Sequence, residues 1–187
     1  MSACLLALDI GTSACKGALF SLNGEALCSA DCAYPTYYPQ PGWAEQKPED
    51  WWAAVCSVIR RLLDESGIAP SDIAGIGVDG QSWAMVALDK DGDVLLPSPI
   101  WTDARAGEAC AWMRETIGED RLYGVSGNPL MPGYTTPKAL WYRDAYPGLY
   151  AKTRVILQSN GFIVQRLTGQ LTQDLSQGYG WHCFISG

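Results

Sequence analysis

The sequence predicts an α/β domain, a mixed sheet flanked by helices, and three features carry that prediction. Three short apolar runs, 4–9, 17–21 and 25–32, follow one another through tight polar turns. An amphipathic stretch opens at Pro48. A further apolar run, Ile73–Gly80, comes after it. Runs joined by tight turns build an antiparallel meander, and a strand reached across a helix is free to pair parallel to the first.

Taken in order, the first two runs meet at Asp9-Ile10-Gly11-Thr12-Ser13, an acid followed by a glycine turn that carries two hydroxyls. Read as a β-hairpin, it gathers Asp9, Thr12, Ser13 and Lys16 around one tight corner. It offers a carboxylate for a hydrated metal ion, backbone amides and hydroxyls for phosphate oxygens, and an ammonium for residual negative charge. Asp-x-Gly is also ordinary turn chemistry, in which the acid bonds its own backbone. The stretch is neither a Gly-x-x-x-x-Gly-Lys-Ser/Thr loop nor a Gly-x-Gly-x-x-Gly turn. Leu22-Asn23-Gly24 joins the second and third runs, and Asn-Gly is a strong hairpin signal. The tyrosine- and proline-rich segment 34–42 reads as extended loop.

Pro48 suits a first helical turn, Glu49 and Asp50 suit the positive end of the dipole, and Gly67 marks the stop. Trp51, Trp52, Val55, Cys56, Ile59, Leu62 and Leu63 recur at helical spacing and form the expected core face. Beyond Ile73–Gly80, strands are expected at 83–89 and 94–96, separated by the polar turn 89–93. Two aspartates and a glycine there suggest calcium, but no glutamate closes a twelve-residue loop, so a hairpin turn is expected. Helices are expected at 106–117, 136–145 and 160–167, the last stopped near Gly169, with a short strand at Val155–Leu157. Three strands, a helix and a strand is the order of the ribonuclease-H-like unit of actin-like ATPases.

Composition limits the function. A hydrophobic fraction of 48% against 18% charged residues is that of a globular chain. A net charge of −7 argues against nucleic-acid partners, whose phosphates it would repel. No apolar run reaches membrane-spanning length and no signal-peptide order opens the chain, so neither membrane nor export is expected. The seven cysteines (Cys4, Cys15, Cys28, Cys32, Cys56, Cys110 and Cys183) are scattered and odd in number, with no Cys-x-x-Cys pair. They read as free thiols in a reducing cytoplasm. His182 is the lone histidine and is expected to be structural, which weakens any histidine-based hydrolase or metal site.

Five segments together resemble the N-terminal part of the FGGY carbohydrate kinases, most closely their xylulokinase branch. They are Leu8-Asp9-Ile10-Gly11-Thr12-Ser13; the stretch from Pro41-Gly42-Trp43 to Trp51-Trp52; Gly75-Ile76-Gly77-Val78-Asp79-Gly80-Gln81; Leu88-Asp89 running on to Trp101-Thr102-Asp103-Ala104-Arg105; and Gly127-Asn128-Pro129 to Pro137-Lys138. The likeness runs from about Ala3 to Ser176. It implies the ribonuclease-H-like fold of the actin, hexokinase and Hsp70 superfamily, with 1–187 as a partial N-terminal domain. A C-terminal domain as partner would lie beyond, and the first domain's last strand and helix are not expected within this chain. It also implies ATP and magnesium as cofactors and a small-molecule sugar as substrate, a ketose such as D-xylulose or a related pentulose or hexulose.

Carried over residue by residue, the resemblance gives Asp9 the hydrated magnesium and gives Gly11, Thr12, Ser13 and Lys16 the nucleotide phosphates. Gln81, Ser82, Trp83 and Asp103 fall on the sugar side, with Arg105 beside them. Asp174 and Ser176 match an Asp-x-Ser element near the cleft, and the turn from Pro132 to Thr135 matches a pocket rim. Ser82-Trp83 departs from the Met-His of xylulokinases and from the Arg-Glu of glycerol kinases, which puts D-xylulose itself in question. The general-base aspartate of the family is expected beyond Gly187, so the chain alone is expected to be inactive, a piece of a longer kinase. A kinase for another polyol or sugar acid and a non-catalytic actin-like nucleotide-binding module are the alternatives. Loss of a terminal strand would expose a sheet edge and an apolar face, so association or poor solubility is expected, a homodimer being one outcome.

Overall fold

The computed structural model describes residues 3–182. β1 (Cys4–Ile10), β2 (Ala14–Ser21) and β3 (Ala26–Ala33) form the antiparallel meander; β4 (Glu45–Gln46) precedes α1 (Pro48–Ser66), and β5 (Ile73–Gly80) follows it. The sheet order is β3-β2-β1-β5, with β5 parallel to β1. The strand order expected of a ribonuclease-H-like unit is therefore present. β2 begins three residues earlier than the hydrophobic run, so Lys16 is a strand residue paired with Asp9 rather than part of the turn. The Asn23-Gly24 hairpin forms, with Gly24 at φ 86°.

α1 lies across one face of this sheet. Its buried stripe is Trp51, Ala54, Val55, Val58 and Leu62, while Trp52 and Ile59 sit at the margin. The face is thus turned toward Ala54 and Val58 relative to the one the bulkiest residues suggest, because β2 meets the helix at Gly17. Gly67 adopts φ 65° and its amide closes the helix on the Leu63 carbonyl, as its position after the apolar run implies.

The second half departs more from the sequence reading. β6 is only Val86–Leu88, and residues 83–85 are not strand, because Trp83 takes a left-handed backbone (φ 63°) that ends any extended run. The strand expected at 94–96 reduces to one bridge, Leu88 to Val94, and β7 is Ser98–Pro99, paired with β4. The 89–93 turn is an Asp turn: Asp89 Oδ1 accepts from the amides of Asp91 and Asp93 at 2.9 and 3.0 Å. α2 (Gly107–Thr116), α4 (Thr135–Ala145), β8 (Val155–Leu157) and α6 (Ser159–Thr168) fall close to expectation, whereas α3 (Glu119–Ser126), α5 (Pro147–Tyr150) and the 3₁₀ segment Leu175–Trp181 were not foreseen. α6 joins α1 on the covered face through Trp51 and Phe162.

β1 alternates buried and exposed along its length, so Leu6, Leu8 and Ile10 face α1 while Leu5, Ala7 and Asp9 face away. Among the described residues no helix covers that second face. Cys4, Cys15, Cys28, Cys32, Cys56 and Cys110 are free thiols, and Cys183 lies outside the described residues, as do the ends of the 1–187 span. His182 is buried with its ring against Tyr134, a structural placement.

The two faces respond differently to the same change. A Cβ on Gly17 would lie 2.5 Å from Val58 Cγ1, whereas one on Gly77 meets nothing within 4 Å. Gly17→Ala is expected to cost about 1–3 kcal/mol in a denaturant titration, and Gly77→Ala to leave the midpoint within about 0.5 kcal/mol or raise it slightly.

Candidate functional site

The corner after β1 is held from beneath by its own carbonyls. Gln81 N donates to Ile10 O at 2.8 Å, Tyr34 Oη to Gly11 O, Gln46 Nε2 to Thr12 O at 2.7 Å, and Tyr34 N to Ser13 O at 3.2 Å. With the carbonyls turned inward and bound, the side chains of Thr12 and Ser13 are left exposed above. Thr12 Oγ1 accepts from Trp101 Nε1 at 3.0 Å, so its own proton is available to an anion. Cys15 lies under the corner with no exposure, and burial pushes its thiol up to about 12, with Asp9 adding to the effect. It is a packing group, not a nucleophile.

On the open face a groove of about 520 Å³ runs down from this corner, and Asp9, Lys16, Asp31 and Asp79 line its polar end. The register explains their company. Asp9 pairs with Lys16 across β2 and with Asp79 across β5, and Lys16 pairs with Asp31 across β3. One ammonium thus stands between two carboxylates, with a third on the far side of Asp9. Asp79 and Asp31 were not singled out in the sequence. The signal for Asp79 was there: it follows the core-facing Val78 in β5, so alternation turns it to the open face, where a parallel partner of β1 brings it beside Asp9.

The second group of residues forms a wall next to the corner. Gln81 is buried, its Nε2 2.8 Å from Gln46 Oε1 and 3.5 Å from Gly11 O. Gln46 Oε1 also accepts from Trp51 Nε1 at 2.9 Å, which ties the wall and the corner to α1. Among the described residues no donor reaches Gln81 Oε1. Trp83 packs edge-on against Tyr134 and Tyr179, with ring centroids 4.6 and 5.3 Å away. Its amide donates to Gln158 Oε1 at 2.6 Å and its carbonyl accepts from Lys138 Nζ at 2.9 Å. Ser82 is half-buried between them.

Asp103 is 1% exposed, its Oδ2 accepts from Ala44 N at 2.6 Å, and both oxygens accept from Arg105 Nε at 2.9 Å. Arg105 reaches on to Glu45 Oε2 at 2.7 Å and lies over the Trp43 ring, 3.8 Å from its centroid, with the perpendicular ring of Trp141 4.9 Å away. With its oxygens engaged by protein donors, Asp103 pins the loop that borders the site. Asp174 caps the Leu175–Trp181 segment by accepting from Gln177 N, and binds Asn160 and Ser176; those donors hold its carboxyl below the usual carboxylate range against the opposing effect of burial. It too is engaged in local structure.

Residues 4–180 match the model of the FGGY family of carbohydrate kinases, N-terminal domain. A xylulose kinase from Bacillus subtilis is 34% identical over 94% of this chain and 35% of its own length, and a glycerol kinase from Thermococcus gammatolerans is 31% identical over 92% and 36%. The solved xylulose kinase from Rhodospirillum rubrum superposes with a TM-score of 0.91 at 28% identity, covering 98% of this chain and 38% of that one. The fold is therefore the ribonuclease-H-like one of these kinases, and the chain spans about a third of the length of the curated relatives it matches. No helix among the described residues is long and apolar enough to cross a membrane.

The role given to Asp103 is open to a direct measurement. Asp103→Asn leaves a guanidinium that is 2% exposed with half its partners and is expected to cost about 3–5 kcal/mol in thermal or chemical unfolding. Asp144→Asn, which breaks an exposed pair with Arg143, is expected to cost less than about 1 kcal/mol. Equal small effects would mean that the Asp103 pair is not what holds the loop.

Proposed function

The chain belongs to the FGGY family of carbohydrate kinases, and from that premise we propose that it carries the phosphate corner and sugar wall of an ATP-dependent ketose kinase. The reaction proposed moves the γ-phosphoryl group of ATP onto a hydroxyl of D-xylulose or a related pentulose or hexulose. The observation that carries this reading is the 2.8 Å bond between Gln81 and Gln46, with Gln46 in turn holding Thr12 O at 2.7 Å. It keeps the two halves of the site, one suited to phosphate and one to a polyhydroxyl chain, at a fixed separation. Positioning of that kind supplies much of the rate in phosphoryl transfer.

Asp9 would orient a hydrated magnesium ion, Thr12 and Ser13 would donate to phosphate oxygens, and Lys16 would offset remaining charge. The residues suit such an ion. Asp9 and Asp79 present hard carboxylate oxygens from adjacent strands on an open face, and magnesium favours one or two carboxylates with water completing its shell. When bound there, magnesium with the nucleotide supplies charge neutralisation at the transferred group. Gly11, whose amide closes the corner on Ala14 O at 3.1 Å, keeps the turn tight. On the sugar wall, Gln81 Oε1 is a buried acceptor for a hydroxyl proton, Ser82 is a second polar contact and Trp83 is an apolar face. The proton of the attacking hydroxyl is expected to pass to an aspartate supplied by sequence beyond Gly187.

Trp83 departs from the Met-His and Arg-Glu pairs that the family resemblance implies at this position. A tryptophan packed on Tyr134 and Tyr179 leaves a flatter and less polar wall than a histidine would, which favours a ketose with an apolar edge over glycerol. The six free thiols support a reducing cytoplasm, and the uncovered sheet face, with Leu5 43% and Leu27 47% exposed, supports self-association of the isolated chain.

A ketose and polyol panel with ATP, run on the polypeptide extended through its downstream coding sequence, tests the proposal. Phosphorylation of a pentulose or hexulose is expected, and Asp9→Asn is expected to lower kcat about 10²–10³-fold with the far-ultraviolet circular dichroism unchanged. Preference for glycerol, or turnover by the 187-residue chain alone, would refute the reading.

A further inference from the structure

Trp83 and His182 are the described non-glycine residues with a left-handed backbone. Such a conformation persists at a bulky residue only where its surroundings impose it. Around Trp83 they do so from both sides of the peptide. Gln158 Oε1 holds the amide at 2.6 Å, and Lys138 Nζ holds the carbonyl at 2.9 Å. Lys138 projects from α4 with no solvent exposure. Its other donors go to Ile100 O at 2.7 Å and Pro99 O at 3.4 Å. An ammonium has three N–H groups, and here three carbonyls receive them. Asp103, whose charge acts on Lys138, is engaged with Arg105 and Ala44, and the contacts of the ammonium itself are carbonyls. A buried lysine of this kind is a poor choice for stability, since an apolar chain of like length would fill the space without the desolvation cost. What it provides is a fixed relation between two turns. One carries Trp83; the other carries Trp101, whose indole reaches Thr12.

We infer that Lys138 is a positioning residue of the sugar site: through its three carbonyls it locks Trp83 in the left-handed conformation and sets the turn that brings Trp101 to the phosphate corner. The clamp itself stands on this geometry. That the wall it shapes receives a sugar rests on the kinase reading above.

The clamp requires the protonated amine. Burial pulls Lys138 down to about 7, with Asp103 opposing and Arg105 reinforcing the shift. Loss of the proton leaves two N–H groups for three carbonyls and turns a lone pair toward one of them, so the two turns loosen as pH rises through about 7. Tyr134 and Tyr179, which face Trp83, are pushed above their ordinary range by burial and stay protonated there. His182, beside Tyr134, is lowered by its burial and is the one competing group near neutrality among those facing this cluster.

The test is ¹⁹F NMR of the 187-residue chain labelled with 5-fluorotryptophan, with Trp83→Phe and Trp101→Phe assigning the two signals. Both resonances are expected to move with a shared midpoint of about 7, to do so equally in His182→Gln, and to stop titrating in Lys138→Met. Signals that stay fixed in the parent chain, or a midpoint lost in His182→Gln, overturn the inference even if Lys138→Met does not fold. In the extended kinase, Lys138→Met is expected to raise the sugar KM about tenfold while kcat and the ATP KM change less than about threefold. An unchanged sugar KM overturns the positioning role. A clean titration in a protein that phosphorylates no sugar refutes the kinase reading instead and upholds the clamp.

Discussion

The pairing of Asp9 with Lys16 on one side and Asp79 on the other decides which groups can meet in the crevice, and the core on the opposite face enforces it. Strand side chains alternate, so the residues that place Leu6, Leu8, Ile10, Cys15 and Leu19 under α1 also place Asp9 and Lys16 away from it. A slip of one residue would turn a carboxylate toward Val58 and Leu62 and expose a row of aliphatic side chains. Each of those buried side chains contributes about 1.5–3 kcal/mol. The wrong register is therefore excluded by packing, without any contribution from the polar groups themselves. Gly17 belongs to the same constraint, because α1 approaches β2 too closely for a side chain there.

The connection between the corner and the wall is made by uncharged amides. Gln46 and Gln81 each offer a donor and an acceptor, and together they link Thr12 O, Gly11 O and the Trp51 indole in one run. Charged side chains would make stronger bonds but would bring fixed charge to a place beside three carboxylates and, on the proposed function, a polyanion. Amides hold the geometry without altering that balance. Because Trp51 is at the start of α1 and fully buried, the linkage ends in the hydrophobic core, and the site inherits the rigidity of the sheet and helix beneath it.

The first eighty residues were largely legible in the sequence. Short apolar runs, the Asn-Gly turn, Pro48 and Gly67 are local signals that tertiary packing did not override, and β1, β3, α1 and β5 begin and end within a residue or so of where those signals put them. The corner at Asp9 was legible for the same reason. Residues 81–106 were not. Residues 83–89 read as one strand, yet only Val86–Leu88 is extended, because the left-handed turn at Trp83 depends on Lys138, more than fifty positions further on, and no local pattern announces it. The surroundings of Asp103 were not legible either: an aspartate two residues before an arginine does not announce that it will accept from the amide of Ala44 or that Arg105 will lie over Trp43.

The segment between β6 and α2 has little sheet to support it, and two interior cations do that work in different ways. Arg105 is met by its counter-charges, Asp103 and Glu45, and by two aromatic rings at right angles to each other, Trp43 and Trp141. That arrangement satisfies charge and shape together and leaves no easy alternative. Lys138 faces carbonyls, which neutralise an ammonium only in part, and its proton is correspondingly easier to remove. One cation fixes the loop; the other holds the turns that border the crevice in a state that responds to its surroundings. An acidic chain with few basic residues has placed two of them out of reach of water, both around one irregular segment. That distribution follows if the segment's shape matters more to the protein than the stability given up in burying charge to secure it.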